Sequence, residues 1–377
     1  MITKETIRSI LATYDTSNIT IGVVGSHSAL DVCRGAKDEG FNTLVICKKG
    51  REQTYAQHYK TDGAIGMVDD VLVLDSFQDL LTDDVQQILR ERNVLFVPHR
   101  SFEVYLNFAY DRIENDFHVP LFGNRFVLKA EERTSENNQY DLLQKAGIRM
   151  PKIFATPAAI DRCCIVKVPE KTRAFERSFF HCHSPEQYHA IVQEKIARNE
   201  IDPAALPDAV IEEFVVGPLV NFNYFYSPLS KRLELLGTDT RRQTNLDGFL
   251  RLPTEQQQNI AQHMQPKFEE AGHIAVTVLE SMLEDVFAIG QRFVETLAHE
   301  YVPGAIGPFA LQSAIVPGPP KKEMVVFDVS LRVPGSPGIQ FTPYGRYLYG
   351  YDMSVGRRIA REIAQAIKEQ LLLEVMT

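Results

Sequence analysis

Short apolar runs alternate with segments of helical spacing along the first third of the chain. The apolar runs are NITIGVVGSH, FNTLVICKKG, DDVLVLDSF and NVLFVPHRS. Helical spacing of apolar residues lies between them, over ALDVCRGAKDEG and over residues 79–92. Strands that alternate with helices in this way predict a parallel, doubly wound α/β sheet. Ligands of such sheets bind outside the carboxyl ends of the strands.

Two of these predicted strands end in polar residues. GSHS (25–28) follows the first strand, and PHRS (98–101) follows the fourth. One interpretation of GSHS is a tight turn in which Ser28 caps the next helix. The other is that histidine and serine from both strand ends hold a small anionic ligand together. A GxGxxG fingerprint is absent, so the pattern does not indicate dinucleotide binding.

The pattern changes after Phe122 to longer helices and hairpins. NRFVLKAEERTSENNQYDLLQKAG predicts one long helix that ends at Gly147, and CCIVKVPE predicts a strand with a buried Lys167. A basic loop, EKTRAFERS, and a strand, FFHCHS, follow. LVNFNYFYS and RLELLGTD predict one hairpin, and PFALQSAIV and EMVVFDVSLRV predict a second. We therefore expect a second domain of α+β type.

The second hairpin brings polar side chains together. A turn centred near Pro320 places Gln312 opposite Asp328, on the face that also carries Ser330 and Arg332. Two oxygen ligands on neighbouring strands suit Mg²⁺, and the guanidinium suits a phosphoryl group. The alternative is an ion pair between Asp328 and Arg332 on an exposed face. A register slip of one residue would also undo the pairing.

Composition narrows the class of protein. The 377 residues are 44% hydrophobic and 24% charged, which is typical of a soluble globular chain of two or three domains. A net charge of -9 argues weakly against nonspecific DNA binding and leaves room for a local basic site. The five cysteines show no CxxC spacing and indicate reduced thiols, and no apolar run approaches the length of a membrane span. We expect a cytoplasmic protein.

The order of these motifs resembles the ATP-grasp ligases: a lysine on a strand, a basic loop, IEEFVVG, a hairpin, GPFALQ and FDVSLR. More narrowly, several segments are similar to the archaeal family of formate-dependent formaminoimidazole carboxamide ribonucleotide synthetases (PurP). These segments are GSHSALDVCRGAKDEGF, VPHRSF, PLFGNR, VGPLVNFNYFYSPL, ELLGTDTR, NLDGFLR and GRRIAREI. The likeness runs over nearly the whole chain.

This resemblance implies a Rossmann-like domain over residues 1–123 and an ATP-grasp domain over 124–377, with a lid subdomain at about 150–217. It implies a ligase of purine biosynthesis that forms a C–N bond. Formate would be phosphorylated by ATP, and the amine of aminoimidazole carboxamide ribonucleotide (AICAR) would attack formyl phosphate to give the formamido product (FAICAR). ATP and Mg²⁺ (or Mn²⁺) would be needed. The partners would be AICAR and formate, with no nucleic acid and no membrane, in a homo-oligomer.

The resemblance also assigns residues to the site. The AICAR contacts would be His27, Ser28, Ser101 and His273. The ATP contacts would be Lys167, Arg177, Glu212, Glu213, Val215 and Glu234. Gln312 and Asp328 would bind the metal, and Arg332 would be the catalytic residue that stabilises charge.

Some positions depart from the family pattern. The phosphate loop PEKTRAFERSFF contains no glycine and would have to use its basic side chains instead of backbone amides. Arg100 replaces a commonly small residue, His273 replaces an asparagine, and Asp328 replaces a glutamate. These departures allow an alternative: a diverged paralogue that joins another amine and acid, or a nucleotide-binding sensor without turnover.

Overall fold

The N-terminal sheet of the computed structural model is parallel. Its strands are β1 (Thr20–Val24), β2 (Asn42–Lys48), β3 (Asp70–Leu74) and β4 (Val94–Phe96), in the order β3-β2-β1-β4. The structure describes residues 1–168, 179–264, 270–318 and 320–377. The predicted doubly wound sheet is confirmed. Because β1 pairs with both β2 and β4, the carboxyl ends of β1 and β4 lie side by side, at the point where ligands bind to such sheets.

The helices of this first part of the chain connect or follow the strands. They are α1 (Lys4–Leu11), α2 (Ala29–Asp38), α3 (Asp83–Glu91), α4 (Arg100–Tyr105) and α5 (Tyr110–Asn115). Short helical turns cover Thr54–His58, Phe77–Leu81 and Arg125–Glu131. Helix α4 begins directly after the fourth strand because the His99 ring nitrogen Nδ1 accepts a hydrogen bond from the Ser101 N–H at 3.2 Å.

The rest of the described chain forms two antiparallel sheets. The smaller contains β5 (Ile153–Phe154), β6 (Cys164–Lys167), β7 (Phe179–Cys182) and β8 (Val210–Glu213), in the order β5-β8-β6-β7. The larger contains β9 (Leu219–Ser227), β10 (Arg232–Gln243), β11 (Glu270–Ala275), β12 (Gly307–Val316) and β13 (Glu323–Ser330), in the order β11-β10-β9-β12-β13. Both predicted hairpins are confirmed, as β9–β10 and β12–β13.

The helices that accompany these sheets are α6 (Gln139–Lys145), α7 (Pro185–Ala197), α8 (Thr244–Phe249), α9 (Thr254–Ala261), α10 (Leu283–Glu300), α11 (Pro343–Tyr349) and α12 (Val355–Lys368). Short turns cover Pro157–Ala159, Pro203–Asp208, Glu280–Met282, Pro337–Phe341 and Leu372–Glu374. Within the described ranges, no helix is both long enough and apolar enough to cross a membrane.

The long helix predicted before Gly147 is wrong. The chain forms the short turn Arg125–Glu131 and then α6, with a break between them. A capping box at Asn138 explains the break: its side chain accepts a hydrogen bond from the Tyr140 N–H, and the Asp141 carboxylate accepts one from the Asn138 N–H. The second helix therefore starts afresh, and the residues before it are released to line the site.

Helix α12 packs against α2 and so joins the end of the described chain to the first sheet. A side-chain carbon at Gly35 would lie 2.1 Å from the Arg357 backbone nitrogen, and one at Gly356 would lie 2.1 Å from the Asp31 carbonyl oxygen. Only glycine permits this close approach of the two helix backbones. The apolar core beneath them is continuous from the N-terminal strands to α12.

Arg125 is fully buried at the junction of the two parts of the chain. Its guanidinium donates hydrogen bonds to the carbonyl oxygens of Ile113 (3.1 Å), Phe117 (2.7 Å) and Val119 (3.0 Å), and also to that of Thr377. Burial lowers the pKa of Arg125 to about 9, and the group remains charged at neutral pH. This one side chain satisfies carbonyl groups of three segments.

We expect Arg125→Met to lower the free energy of unfolding by roughly 3 kcal/mol or more, because it leaves several buried carbonyl oxygens without a donor. Urea unfolding followed by circular dichroism measures the loss. The matched control is Arg112→Met, since Arg112 is half exposed and pairs with Asp116 at 3.2 Å on one helix end. Its effect should stay within about 1 kcal/mol. Equal losses in the two variants would contradict the structural role of Arg125.

Candidate active site

Two adjoining cavities lie beside the five-stranded sheet. The polar cavity, of about 370 Å³, lies against the sheet face that carries Gln312 and Ser330. The apolar cavity, of about 420 Å³, lies between this sheet and strands β6 and β8. Arg133, Arg241 and Asp328 line both cavities, so the two spaces meet at these side chains.

The N-terminal sheet contributes His27 and Ser101 to the polar cavity, from the ends of β1 and β4. The structure thus brings together the two strand ends that the sequence singled out. His27 stacks on His99 with ring centroids 5.4 Å apart. A side-chain carbon at Gly335 would lie 2.6 Å from His27 Nε2, so only a glycine lets the loop after β13 approach this ring.

Ser28 does not line the cavity, although the resemblance implied a substrate contact there. Its side chain is buried, and its hydroxyl donates a hydrogen bond to the Pro334 carbonyl oxygen at 2.7 Å. Ser28 does occupy the N-cap position of α2, as the simpler interpretation predicts, but its side chain makes no capping bond. The hydroxyl instead ties the first strand end to the loop after β13.

Gln312 and Asp328 lie opposite each other across β12 and β13, as predicted. A register shift follows directly, between Gln312 and Ser313, so the expected pairing holds up to these residues and is offset beyond them. Gln312 Nε2 donates to the Ser330 hydroxyl oxygen at 3.3 Å. A carboxylate and an amide oxygen on neighbouring strands are hard donors, which fit Mg²⁺ if phosphate oxygens and waters complete its shell.

The described residues include no group of three or more histidine, cysteine, aspartate or glutamate side chains that could hold a metal on their own. The pair of Gln312 and Asp328 therefore fits a metal that arrives with a phosphate, not a metal bound by protein alone.

Asp328 and Arg332 do not pair with each other, so the alternative of a surface ion pair is wrong. Asp328 Oδ1 accepts from an Arg133 guanidinium nitrogen at 3.1 Å. Arg332 lines the polar cavity and pairs with Glu131 at 3.0 Å and Glu103 at 3.4 Å. Both arginines are therefore held by carboxylates at the cavity wall.

Sequence analysis missed Arg133. Burial alone would lower the pKa of its guanidinium, but the neighbouring Asp328, Tyr140 and Glu212 outweigh burial and raise the pKa. Its Nε donates to the Tyr140 hydroxyl at 3.1 Å. Arg133 lay within the predicted long helix, and nothing about a helical position indicated that its side chain would point towards the sheet.

Lys167 is buried at the inner wall of the apolar cavity. Its Nζ pairs with Glu212 and donates to the Phe327 carbonyl oxygen at 3.3 Å. Burial lowers the pKa of Lys167, although Glu212 opposes the shift. Glu212 also accepts from the Tyr140 hydroxyl at 2.9 Å. Lys167 is thus part of a connected polar network and not a lysine that extends to solvent.

The end of β8, the start of β9 and the residues between them form one side of the apolar cavity. Glu213, Val215 and Leu219 line it. The Glu213 carboxylate contacts Arg162 at 3.3 Å and accepts from the Lys152 N–H at 3.3 Å. The Glu213 carboxylate is therefore engaged by neighbouring groups of the protein itself. Arg177 lies outside the residues that the structure describes.

The structure does not bring Glu234 to either cavity, which corrects the expected ATP contact. Its carboxylate is buried and receives two hydrogen bonds from Arg358, at 2.7 and 3.1 Å, and one from the Tyr349 hydroxyl at 2.7 Å. The reason is that Arg358 of α12 lies beside this face of β10 and binds the Glu234 carboxylate. Glu234 therefore ties α12 to β10.

His273 lines the polar cavity, as expected, but both ring nitrogens face acids. Nδ1 lies 2.5 Å from Asp239 Oδ2, and Nε2 lies 2.8 Å from Glu270 Oε1. Burial alone would lower the pKa of His273, but the bonds to Asp239 and Glu270 outweigh it and raise the pKa to about 9. A positively charged imidazole thus lies between two carboxylates at neutral pH.

Asp239 is the centre of a polar floor that sequence analysis also missed. Besides His273, it accepts from Asn221 Nδ2 at 2.8 Å and Asn223 Nδ2 at 2.6 Å. The Ser336 hydroxyl donates to Asn223 Oδ1 at 3.2 Å. The spacing of the two asparagines in LVNFNYFYS was the available signal, since alternation places them on one face.

Comparison with known proteins gives matches over both parts of the chain. A family model described as "Domain of unknown function (DUF1297)" matches residues 187–377, and one described as "Protein of unknown function (DUF1246)" matches residues 21–154. A 5-formaminoimidazole-4-carboxamide-1-(beta)-D-ribofuranosyl 5'-monophosphate synthetase of Methanopyrus kandleri is 38% identical over 377 residues, which cover 100% of both chains.

Solved structures show the same likeness. The crystal structure of an IMP biosynthesis protein, PurP, from Thermococcus kodakaraensis is 29% identical, with a TM-score of 0.69 over 95% of this chain and 100% of that chain. The biotin carboxylase domain of a Hydrogenobacter thermophilus 2-oxoglutarate carboxylase, in complex with MgADP, is 14% identical. Its TM-score is 0.60 over 91% of this chain and 69% of that chain, which shows a likeness of fold alone.

The acid pair around His273 has a measurable consequence. We expect Asp239→Asn to lower the pKa of His273 from about 9 by roughly one to two units, because one of its two charged partners is lost. Titration of the imidazole by NMR measures this shift. The matched control, Asp285→Asn, removes a distant acid that pairs with Lys321, and should leave the titration unchanged.

The raised pKa also predicts the pH dependence of stability. The charged His273 contributes stability that is fully present below about pH 6.5 and is lost as the pH rises through about 9. The unfolding midpoint of the wild type should therefore fall over this range by more than that of Asp239→Asn. Identical His273 titrations in the two proteins would contradict the contact.

Proposed function

The chain belongs to the 5-formaminoimidazole-4-carboxamide ribonucleotide synthetase family of ATP-grasp ligases, and we propose that its two adjoining cavities carry out that family's reaction. The observation that carries this proposal is the 38% identity over the whole length of both chains with a synthetase of that name. The reaction joins formate to the exocyclic amine of AICAR, with ATP as the source of energy. It yields FAICAR, ADP and phosphate in purine biosynthesis.

Two steps make up this chemistry. A formate oxygen attacks the γ-phosphorus of ATP, and ADP leaves with the electrons of the broken bond. The amine nitrogen of AICAR then attacks the carbon of formyl phosphate, phosphate leaves, and the amine gives up one proton. Negative charge moves onto phosphoryl oxygens in both steps, so the protein contributes mainly by positioning the reactants and neutralising charge.

ATP fits the apolar cavity. The base would lie against Val215 and Leu219 and read the backbone after β8, while its phosphates would extend towards Lys167. Lys167 lines the apolar cavity together with Asp328, which also lines the polar cavity. The buried ammonium of Lys167 suits an anionic phosphate chain. A protein with the same fold has been solved in complex with MgADP, which supports a nucleotide as the ligand of this fold.

Gln312 and Asp328 would hold Mg²⁺, or Mn²⁺ in its place, at the junction of the two cavities. The ion would neutralise charge on the phosphate oxygens. Asp328 Oδ1 is paired with Arg133 in this structure, so a metal bound at that oxygen would displace Arg133 from it. Arg133 would then be free to contact the phosphates, which places it among the proposed ATP-binding residues.

AICAR fits the polar cavity. His27 and Ser101 would contact it from the strand ends, and His273 would face it from β11. Its amine must reach the phosphorylated formate, and the side chains that line both cavities mark where the two can meet. Arg332 would neutralise charge on the transferred group from the wall of the same cavity.

The departures at Arg100 and His273 do not favour the alternative functions. Arg100 contacts Glu103, Glu131 and Glu132 at 3.2 to 3.5 Å, and His273 lies between two acids. Each added positive charge is met by carboxylates of the protein itself. The added charge at these two positions is therefore no argument for a different amine substrate or for a sensor without turnover.

Assembly and location follow from the family likeness alone. We infer a homo-oligomer in the cytoplasm with small-molecule partners, and light scattering of the purified protein tests the oligomeric state.

We expect ADP release that requires ATP, Mg²⁺, formate and AICAR together, with FAICAR formed in equal amount. A coupled assay for ADP, with each component omitted in turn and FAICAR measured by chromatography, gives the answer. ADP release that ignores AICAR but responds to another amine would overturn the substrate assignment. No ADP under any combination, despite tight ATP binding, would overturn the ligase reaction itself.

We expect Asp328→Asn to lower turnover on the order of 100-fold while the fold is retained, because a neutral amide holds the metal and its phosphate less well. Asp328→Glu is the matched variant, since it keeps the charge and restores the residue common in the family, and it should retain most of the activity. The Mg²⁺ concentration for half-maximal rate should rise in Asp328→Asn only. An unchanged rate in Asp328→Asn would remove this residue from the metal site.

A further inference from the structure

A buried cluster of acids and arginines forms one wall of the polar cavity. Its members come from α4, α5, the segment before α6 and the chain after β13, and they are Arg100, Glu103, Tyr110, Glu131, Glu132 and Arg332. We call it the glutamate–arginine cluster. It joins the N-terminal part of the chain to the larger sheet at the place where Arg332 enters the site.

Glu131 makes the closest contacts to the chain around Arg332. One carboxylate oxygen accepts from an Arg332 guanidinium nitrogen at 3.0 Å, and the other accepts from the Leu331 N–H at 2.6 Å. Glu103 lies 3.4 Å from Arg332 Nε on the other side. A single glutamate therefore holds both the side chain of Arg332 and the backbone next to it.

The cluster contains one more acid than arginine. Arg100 contacts all three glutamates, and the Tyr110 hydroxyl donates to Glu103 at 3.0 Å and to Glu132 at 3.2 Å. All three glutamates are buried, with Glu103 fully so. Three carboxylates that face two guanidiniums in a water-poor wall favour retention of one proton by the group.

We propose that Glu131 is a positioning residue for Arg332, which holds the guanidinium at the cavity wall in the orientation that the transferred group requires. The role of Arg332 rests on the proposed function, whereas its coupling to Glu131 does not. Glu131 would act through Arg332 and not on the reacting groups themselves, since its carboxylate contacts Arg332, Leu331 and Arg100. Loss of its charge would leave Arg332 with Glu103 alone, which Arg100 and Tyr110 also engage.

Protonation gives this arrangement a pH dependence. The groups that face Glu131 are Arg332 and, from α4, Glu103 and Arg100, with Tyr110 and Glu132 beside them. Burial raises the pKa of Glu131 to about 7, with Glu103 adding to the rise and Arg332 and Arg100 opposing it. Below that pH Glu131 becomes neutral and holds Arg332 less well. The turnover rate should therefore fall as the pH drops from about 8 to 6.

The kinetic test compares wild type with Glu131→Gln in the ADP-release assay between pH 5.5 and 8.5, values chosen to span roughly one and a half units on each side of the pKa. We expect kcat about tenfold lower at pH 8, a KM for ATP within about twofold of wild type, and no fall in rate towards acid pH. A variant with wild-type kcat and an unchanged pH profile would overturn the proposal.

The matched control is Glu114→Gln. Glu114 is also a buried glutamate, but it pairs with Lys129 at 3.0 Å and lies outside the polar cavity. The Glu114→Gln variant should keep the wild-type rate and the wild-type fall in rate towards acid pH. If Glu131→Gln fails to fold, Glu131→Asp replaces it, with an expected drop in kcat and a retained acid limb. A wild-type rate in that variant would also count against the proposal.

A second measurement does not depend on turnover. Urea unfolding of Glu131→Gln, Arg332→Gln and the double variant forms a double-mutant cycle, and we expect the two effects to be clearly non-additive. Additive effects would overturn the coupling, whatever the enzyme activity. Non-additive effects in a protein that releases no ADP would instead leave Glu131 as the partner of Arg332 and count only against the proposed function.

Discussion

The register between β12 and β13 is the constraint on which the site depends. Because Gln312 lies opposite Asp328, the alternate residues of β13 and the chain after it face the polar cavity, and Arg332 follows on the same wall. A shift of one residue would turn these side chains to the opposite face and bury a carboxylate in the apolar core beneath the sheet. The shift observed after Gln312 lies beyond the pair of Gln312 and Asp328, so it leaves their pairing intact.

Charge balance is the second constraint, and it explains how so many ionised groups can line one enclosed space. Arg133 pairs with Asp328, His273 lies between two acids, and Arg332 contacts two glutamates. Buried charges are tolerated only when partners meet them. A charged ligand that enters this site therefore has to exchange with internal pairs. The pair of Arg133 and Asp328 lies at the junction of both cavities, within reach of a ligand in either one.

Structural features that depend on neighbours along the chain could be predicted from the sequence. Features that depend on residues far away along the chain could not. The doubly wound sheet, both hairpins and the pairing of Gln312 with Asp328 follow from local alternation and turns, and the structure confirms them. The long helix was wrong because a capping box outweighed helical spacing. Arg133 and the polar floor around Asp239 were missed, and the position of Glu234 was wrong. The partners of Arg133 and Glu234 lie 195 and 124 residues away along the chain, and Asp239 is bound from a neighbouring strand. No local pattern reveals such partners.

The positive charges at positions 100 and 273 are each matched by carboxylates of the protein itself. An arginine at position 100 adds a positive charge to the wall of the polar cavity, and alone it would attract an anion. Glu103, Glu131 and Glu132 surround this arginine and offset its charge. The same holds for His273, whose charge is divided between Asp239 and Glu270. Since the field that a ligand meets depends on the sum of these groups, Arg100 and His273 add little net positive charge to the cavity.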